Sequence, residues 1–240
     1  MRAAARNRSK RLKSREKRTL RFEALAPRLC LTTSFGWDGP GLGSASLSYY
    51  IGDVPTNIGL GQAVVEAAFE TAFDAWSAVA DVTFTSTGLP HQRDSIDVRF
   101  VQIDGSGGTF AQAYLPDDVN WGRIAGDIQI DVSDSWEVGD SLGSSAFDLT
   151  WVAAHEIGHS LGFLNDFFVD DFFNPGEVNL WGDQIDGSGV FDPGGLNVQM
   201  VGSYAHYDDA PPTAGFLMNP GITNGERLAI SATDTAMLNL

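Results

Sequence analysis

The run WVAAHEIGHSLGF at residues 151–163 constrains this chain more than any other stretch. It reads as the body of a helix from about Leu149 to Leu161, with Asp148 placed to cap its start and Gly162 to stop it. Inside that helix His155 and His159 stand four residues apart, a little more than one turn. Both imidazoles therefore project from one face and can chelate a single ion. Glu156 lies about 100° round the helix, beside such an ion rather than on it, where it can take a proton from a metal-bound water. With only 4 His in 240 residues, the expected number of H-E-x-x-H matches is roughly 0.002, so coincidence is a weak explanation. Neutral imidazoles in a site with three protein ligands and an open position favour zinc.

Charge and cysteine content narrow the setting. The net charge of −16 hides a split, because eleven of the 15 Lys and Arg precede residue 29. The rest of the chain has only Arg93, Arg99, Arg123 and Arg227 against a large excess of Asp and Glu. A body this acidic repels phosphates, which argues against nucleic acid or an anionic membrane as its partner. Cys30 is the single cysteine, so disulfides and thiolate metal sites are excluded for residues 31–240. No apolar run reaches the roughly 18 to 20 residues of a membrane-spanning helix, and residues 22–31 (FEALAPRLCL) are too broken by Glu23, Pro27 and Arg28 to form a good secretory apolar core.

Along the chain, residues 1–21 form a basic stretch without hydrophobic periodicity. Thr32 to Gly43 is rich in Gly, Ser and Pro and reads as a linker loop. Leu47, Tyr49 and Ile51 alternate with small or polar residues, as in a half-buried strand. Over residues 62–80 the period changes. Val65, Phe69, Ala72, Phe73, Trp76, Val79 and Ala80 form the apolar stripe of a helix, with Glu66, Glu70 and Asp74 on its wet side. Strands are expected at Val82 to Ser86, Ile96 to Ile103, Thr109 to Tyr114 and Asp127 to Val132, the last with Asp127, Gln129 and Asp131 opposite Ile128 and Ile130. Residues 166–215 show no clear period and read as a long loop or irregular subdomain. Ser231 and Asp234 form a capping box for a final helix.

HEIGHSLGF resembles the zinc-binding helix of metzincin metallopeptidases, close to the matrixin form. FLMNP at residues 216–220 resembles their Met-turn, with Met218 beneath the metal, and LAISATDTAML resembles the matrixin C-terminal helix. VEAAFETAFDAWSAVADVTFTST, GGTFAQAYLP and GDIQIDVSDSW extend the likeness over roughly Leu47 to Leu240. The resemblance implies a zinc-dependent endopeptidase that hydrolyses internal peptide bonds by Glu-assisted attack of a zinc-bound water. The implied fold is α+β: a twisted, mostly parallel small sheet, a backing helix, an active-site helix and an irregular C-terminal subdomain. Substrate would lie along the strand Thr109 to Tyr114.

The third ligand departs from the matrixin spacing, which would put it at Asn165, a poor zinc ligand. The leishmanolysin-like arrangement, with a displaced third histidine, is matched better. It assigns His206, 12 residues before Met218 and followed by Tyr207, with Asp166 and Asn165 as alternatives. His91, in LPHQRD, is expected to be exposed. Where matrixins carry histidines for a structural zinc, this chain has Gln112 and Gln129, so no such zinc is expected. Asp131 and Asp134, with carbonyls of the Gly-rich loop, are a candidate structural calcium site, and Asp183, Asp186 and Asp192 a looser one. PRLC at 27–30 lacks the surroundings of the matrixin latency motif, which leaves Cys30 incidental.

The stretch RTLRFEALAPRLCL resembles segments that precede exported bacterial surface and extracellular proteins, which implies export. Residues 1–34 are thus expected to be a targeting tail and 35–240 one catalytic domain. The expected partner is a protein or peptide substrate, with no nucleic acid for the folded domain and no membrane span. The alternative reading is a catalytically inactive metzincin relative serving as an extracellular metal- or calcium-binding interaction module. Retention of Glu156, which metal binding alone does not need, argues against it.

Overall fold

A computed structural model describes Trp37, residues 44–116, 123–139 and 145–162, and beyond them only 190–191, 198–201, 206–207, 217–218, 227 and 229–230. Five strands make the main sheet: β1 (Ala45–Ile51), β2 (Val82–Ser86), β3 (Ser95–Val101), β4 (Ala111–Ala113) and β5 (Ile128–Asp131). Their order is β2-β1-β3-β5-β4. All neighbours run parallel except β4, which lies antiparallel on β5 at the edge. The mostly parallel sheet expected from the sequence is therefore present, within an α+β architecture.

Helix α1 (Gln62–Ser77) backs this sheet. Val65, Ala68, Phe69, Ala72, Phe73 and Trp76 are buried, the spacing of a single apolar stripe. Phe73 stacks on Tyr49 of β1 at 4.4 Å between ring centroids and meets Phe84 of β2 at 4.5 Å. The helix stops earlier than its apolar period suggests. Its C-cap is Ala78, so Val79 falls in the following turn and is exposed rather than continuing the stripe.

Helix α2 (Leu149–Ser160) begins directly after the short pair β6 (Trp136–Glu137) and β7 (Phe147–Asp148). Asp148 caps it as expected, accepting the Thr150 N–H at 3.0 Å. Gly162, just beyond the helix, has φ of 106°, where a Cβ would be strained. The helix is buried on nearly every side, with only Thr150 and His159 partly exposed. Trp76 of α1 ties the two helices together by donating its indole N–H to the Ala154 carbonyl at 2.7 Å.

Three residues depart from the sequence expectation in one direction. Trp37, read as part of a linker, is only 3% exposed; its indole N–H donates to the Ser160 carbonyl at 2.9 Å. Gly126 gives it room, since a Cβ there would come within 2.4 Å of the Trp37 ring. Asp127 and Asp131, read as the polar side of a strand, are fully buried because each carboxylate has its own donors. Asp127 accepts the Asp97 N–H and pairs with Arg99.

In the C-terminal part, β8 (Val190–Phe191), β9 (Val198–Val201) and β10 (His206–Tyr207) pair antiparallel in the order β10-β9-β8. The final helix expected from Ser231 lies outside the described residues. No helix among the described residues is long and apolar enough to cross a membrane.

Candidate metal centre

The site is built on the buried face of α2. His155 and Glu156 are both buried, while His159 is partly open. His155 Nδ1 sits 2.8 Å from the Leu217 carbonyl oxygen. A carbonyl can only accept, so this contact places the ring proton on Nδ1 and leaves a lone pair on Nε2. The Nε2 atoms of His155 and His159 are 3.2 Å apart. Two nitrogens bound tetrahedrally to one ion at 2.0–2.1 Å would be roughly 3.3 Å apart. The pair thus has the spacing, and His155 the tautomer, of zinc-binding histidines.

The floor of the site comes from residues far along the chain. Leu217 and Met218 are fully buried. A Cβ on Gly158 would lie 2.7 Å from Met218 Sδ and 3.1 Å from the Trp76 ring. Glycine at this helical position therefore permits the close approach of Met218 beneath α2. Trp151 stands at 5.6 Å from the His155 ring, and His155 meets His159 edge-on at 4.9 Å. Burial pushes the Glu156 carboxyl up to about 8.

His206 lies in β10, its backbone paired opposite Val201. Asn165 and Asp166 lie outside the described residues. Among the described residues no third His, Cys, Asp or Glu joins the pair on α2. His91 is exposed, yet its main chain has φ of 59° and donates to Asp97 at 2.7 Å.

Two further places bear on metals. Gln112 and Gln129 face each other across β4 and β5, with Nε2 donating to Oε1 at 2.6 Å. The Gly-rich loop before β4 wraps around three carboxylates. Asp131 accepts the N–H groups of Ile103, Asp104, Gly105 and Ser133, and Asp134 accepts that of Gly107. Asp104 accepts the Thr109 N–H. Burial works to raise Asp131, but the Ser133 and Asp104 amides outweigh it and hold the carboxyl below its ordinary range. Asp134 is raised, first by burial and then by the charges of Asp131 and Asp104, and its Oδ2 is buried without a hydrogen-bond partner. The other oxygens of these carboxylates are occupied by main-chain donors, and among the described residues no group of three or more His, Cys, Asp or Glu is placed to hold a metal ion. Asp183, Asp186 and Asp192 lie outside the described residues.

Sequence reasoning missed the residues that support α2 from a distance: Trp37, Leu217 as a carbonyl partner, and the pairs Arg99–Asp127 and Arg227–Asp148. The one available signal was the scarcity of bases in the acidic body, which makes each arginine a candidate for a buried carboxylate.

The chain is similar in sequence to known proteins. Interstitial collagenase of Equus caballus is 32% identical over 157 residues, covering 60% of this chain and 31% of that protein. Matrix metalloproteinase-18 of Xenopus laevis is 37% identical over 111 residues, 43% of this chain and 22% of that protein. Stromelysin-3 of Xenopus laevis is 30% identical over 124 residues, 48% of this chain and 24% of that protein. The chain thus spans about a third or less of the length of these relatives. The matrixin family itself matches residues 42–166, from just before β1 to just past α2, which is more than half of the chain. With its mostly parallel sheet, backing helix and histidine-bearing helix, this chain belongs to the matrixins, a family of zinc endopeptidases with the metzincin-type fold.

Proposed function

We propose that the chain is a zinc-dependent endopeptidase in which His155, His159 and His206 hold the metal and Glu156 is the general base. The observation that carries this reading is the 3.2 Å separation of the two Nε2 atoms, with His155 held in the metal-binding tautomer by Leu217. Zinc bound there supplies a Lewis acid for the scissile carbonyl and lowers the pKa of its water toward roughly 7. Glu156 accepts the proton that the attacking water gives up and delivers it to the leaving amine. A buried carboxyl whose proton affinity lies near neutrality is suited to both halves of that transfer. The strand β4 borders α2 and, among the described residues, has an unpaired side, to which an extended peptide can add by main-chain hydrogen bonds. That mode favours modest side-chain specificity.

Assignment of His206 follows from its place before Leu217 and Met218 and from the weakness of Asn165 as a ligand. Residues 1–34 are read as a targeting tail and 35–240 as the catalytic domain of an exported protein. Calcium, which the matrixin family implies in general, is read as a structural ion at Asp131 and Asp134 with carbonyls of the Gly-rich loop.

Digestion of casein or gelatin by zinc-loaded protein tests the activity. A chelator should abolish it, and Glu156→Gln should lower it by roughly 10²- to 10⁴-fold while zinc stays bound. Metal-replete protein that cleaves nothing, or that loses nothing on that substitution, returns the reading to a metal-binding interaction module. Zinc stoichiometry of His206→Ala beside Asp166→Ala tests the third ligand: near-complete zinc loss is expected only in the first.

A further inference from the structure

The first residue of the active-site helix region is more heavily bound than a helix cap requires. Asp148 is fully buried, and its Oδ1 accepts both the Thr150 N–H and Arg227 Nη2, each at 3.0 Å. Its Oδ2 accepts Arg227 Nε. Arg227 Nη2 also donates to the Gly139 carbonyl at 3.0 Å, in the loop after β6. An uncharged Ser or Asn would cap the helix as well. A buried carboxylate instead demands a paired cation, and Arg227 is one of only four bases outside the N-terminal tail.

The geometry points to Arg227 as a positioning residue for the metal-binding helix, securing the C-terminal segment against α2 so that the Leu217 carbonyl stays on Nδ1 of His155. Asp148 and His155 are seven residues apart, two helical turns, and so lie on one stripe about 10 Å long. The C-terminal segment reaches that stripe twice. Leu217 meets it at His155, with Met218 against Gly158, and Arg227 meets it at Asp148. The Leu217 hydrogen bond has to offset the ordering of the backbone around it. The bidentate ion pair ten residues on holds the same chain to Asp148, so the Leu217 bond forms from fewer conformations. Leu217 and Arg227 both lie outside residues 42–166, the span that matches the matrixin family, while their partners His155 and Asp148 lie inside it. The inference rests on His155 as a zinc ligand for its consequence in catalysis, but not for the clamp itself.

The test uses the full chain with Arg227→Lys, and with Arg227→Met combined with Asp148→Asn. The double variant keeps a cap oxygen and leaves no buried charge unpaired. Three quantities are measured: exchange of the His155 Nδ1 proton by NMR in metal-free protein, the rate of zinc release to a chelator, and kcat and KM on a peptide. In the double variant the melting temperature should stay near wild type. Proton exchange and zinc release should each quicken at least tenfold, and kcat should fall with KM unchanged. Arg227→Lys should lie between. Wild-type proton exchange in both proteins overturns the inference. If the double variant does not fold, Arg227→Lys decides alone: faster exchange supports the clamp and wild-type exchange overturns it. Faster exchange in a protein whose wild type binds no zinc supports the clamp and overturns the metal reading instead.

Discussion

Helices α1 and α2 are held in opposite ways. Helix α1 buries one stripe against its sheet and leaves Glu66, Glu70 and Asp74 in water, so its contacts are dictated by its own period. Helix α2 is buried on nearly all sides, and its partners come from Trp37, Trp76, Leu217, Met218 and Arg227. A stripe tolerates small shifts of the helix along a sheet. An enclosed helix that must hold two imidazoles 3.2 Å apart does not, and it is fixed by polar ties at its start, its middle and its end.

The largest test of this contrast is the residue shared by both helices. Trp76→Ala removes a fully buried indole and the bond to Ala154, and should cost about 3–5 kcal/mol in urea unfolding. A cost below about 1 kcal/mol would mean that α2 does not depend on α1 for its seat.

The seat of the α2 C-terminus makes a pH-dependent test. The Ser160 hydroxyl donates to the Gly126 carbonyl, and the next residue, Asp127, is raised to about 6, chiefly by burial, against the opposing Asp97 amide and Arg99. A carboxyl whose folded pKa is above its unfolded value binds protons more tightly in the native state. Its contribution therefore favours folding in acid and is lost as pH rises from about 4 to about 6. Relative to wild type, Asp127→Asn should gain on the order of 2 kcal/mol between pH 4 and pH 7. Parallel pH profiles of the two proteins would contradict the burial of an ionised Asp127.

Gly158→Ala sharpens the comparison further. In an ordinary exposed helix the change stabilises by about 1 kcal/mol. Here the new Cβ meets Met218 and Trp76, and the expected outcome is a loss of about 1–3 kcal/mol, with weaker zinc binding in competition with a chelator. A gain in stability would show that Met218 moves aside freely. The smallest effect is expected on the wet face of α1, where Glu70→Ala should change stability by less than about 0.5 kcal/mol.

Much of the fold was legible because it is periodic. Val82 to Ser86 was read with its observed bounds, and α2 with its Asp148 cap was read to within a residue. Strands expected at Thr109 to Tyr114 and Asp127 to Val132 are shorter, Ala111–Ala113 and Ile128–Asp131. The His155 and His159 pair was legible because helical spacing alone puts both rings on one face. Trp37 was not, because nothing in a Gly- and Pro-rich stretch signals that one indole will reach the end of a helix more than 120 residues away.

By itself the sequence determined what local geometry governs: which segments are helix or strand, which two histidines share a helix face, and that the acidic, cysteine-free body must rely on its core. Tertiary structure alone decided the supports of the site. Leu217 fixes the tautomer of His155, Met218 fills the space left by Gly158, and Arg227 neutralises Asp148. The physical reason is that burial and pairing are properties of neighbours distant along the chain. A carboxylate such as Asp127 reads as a solvated face until the residues that enclose it are brought together.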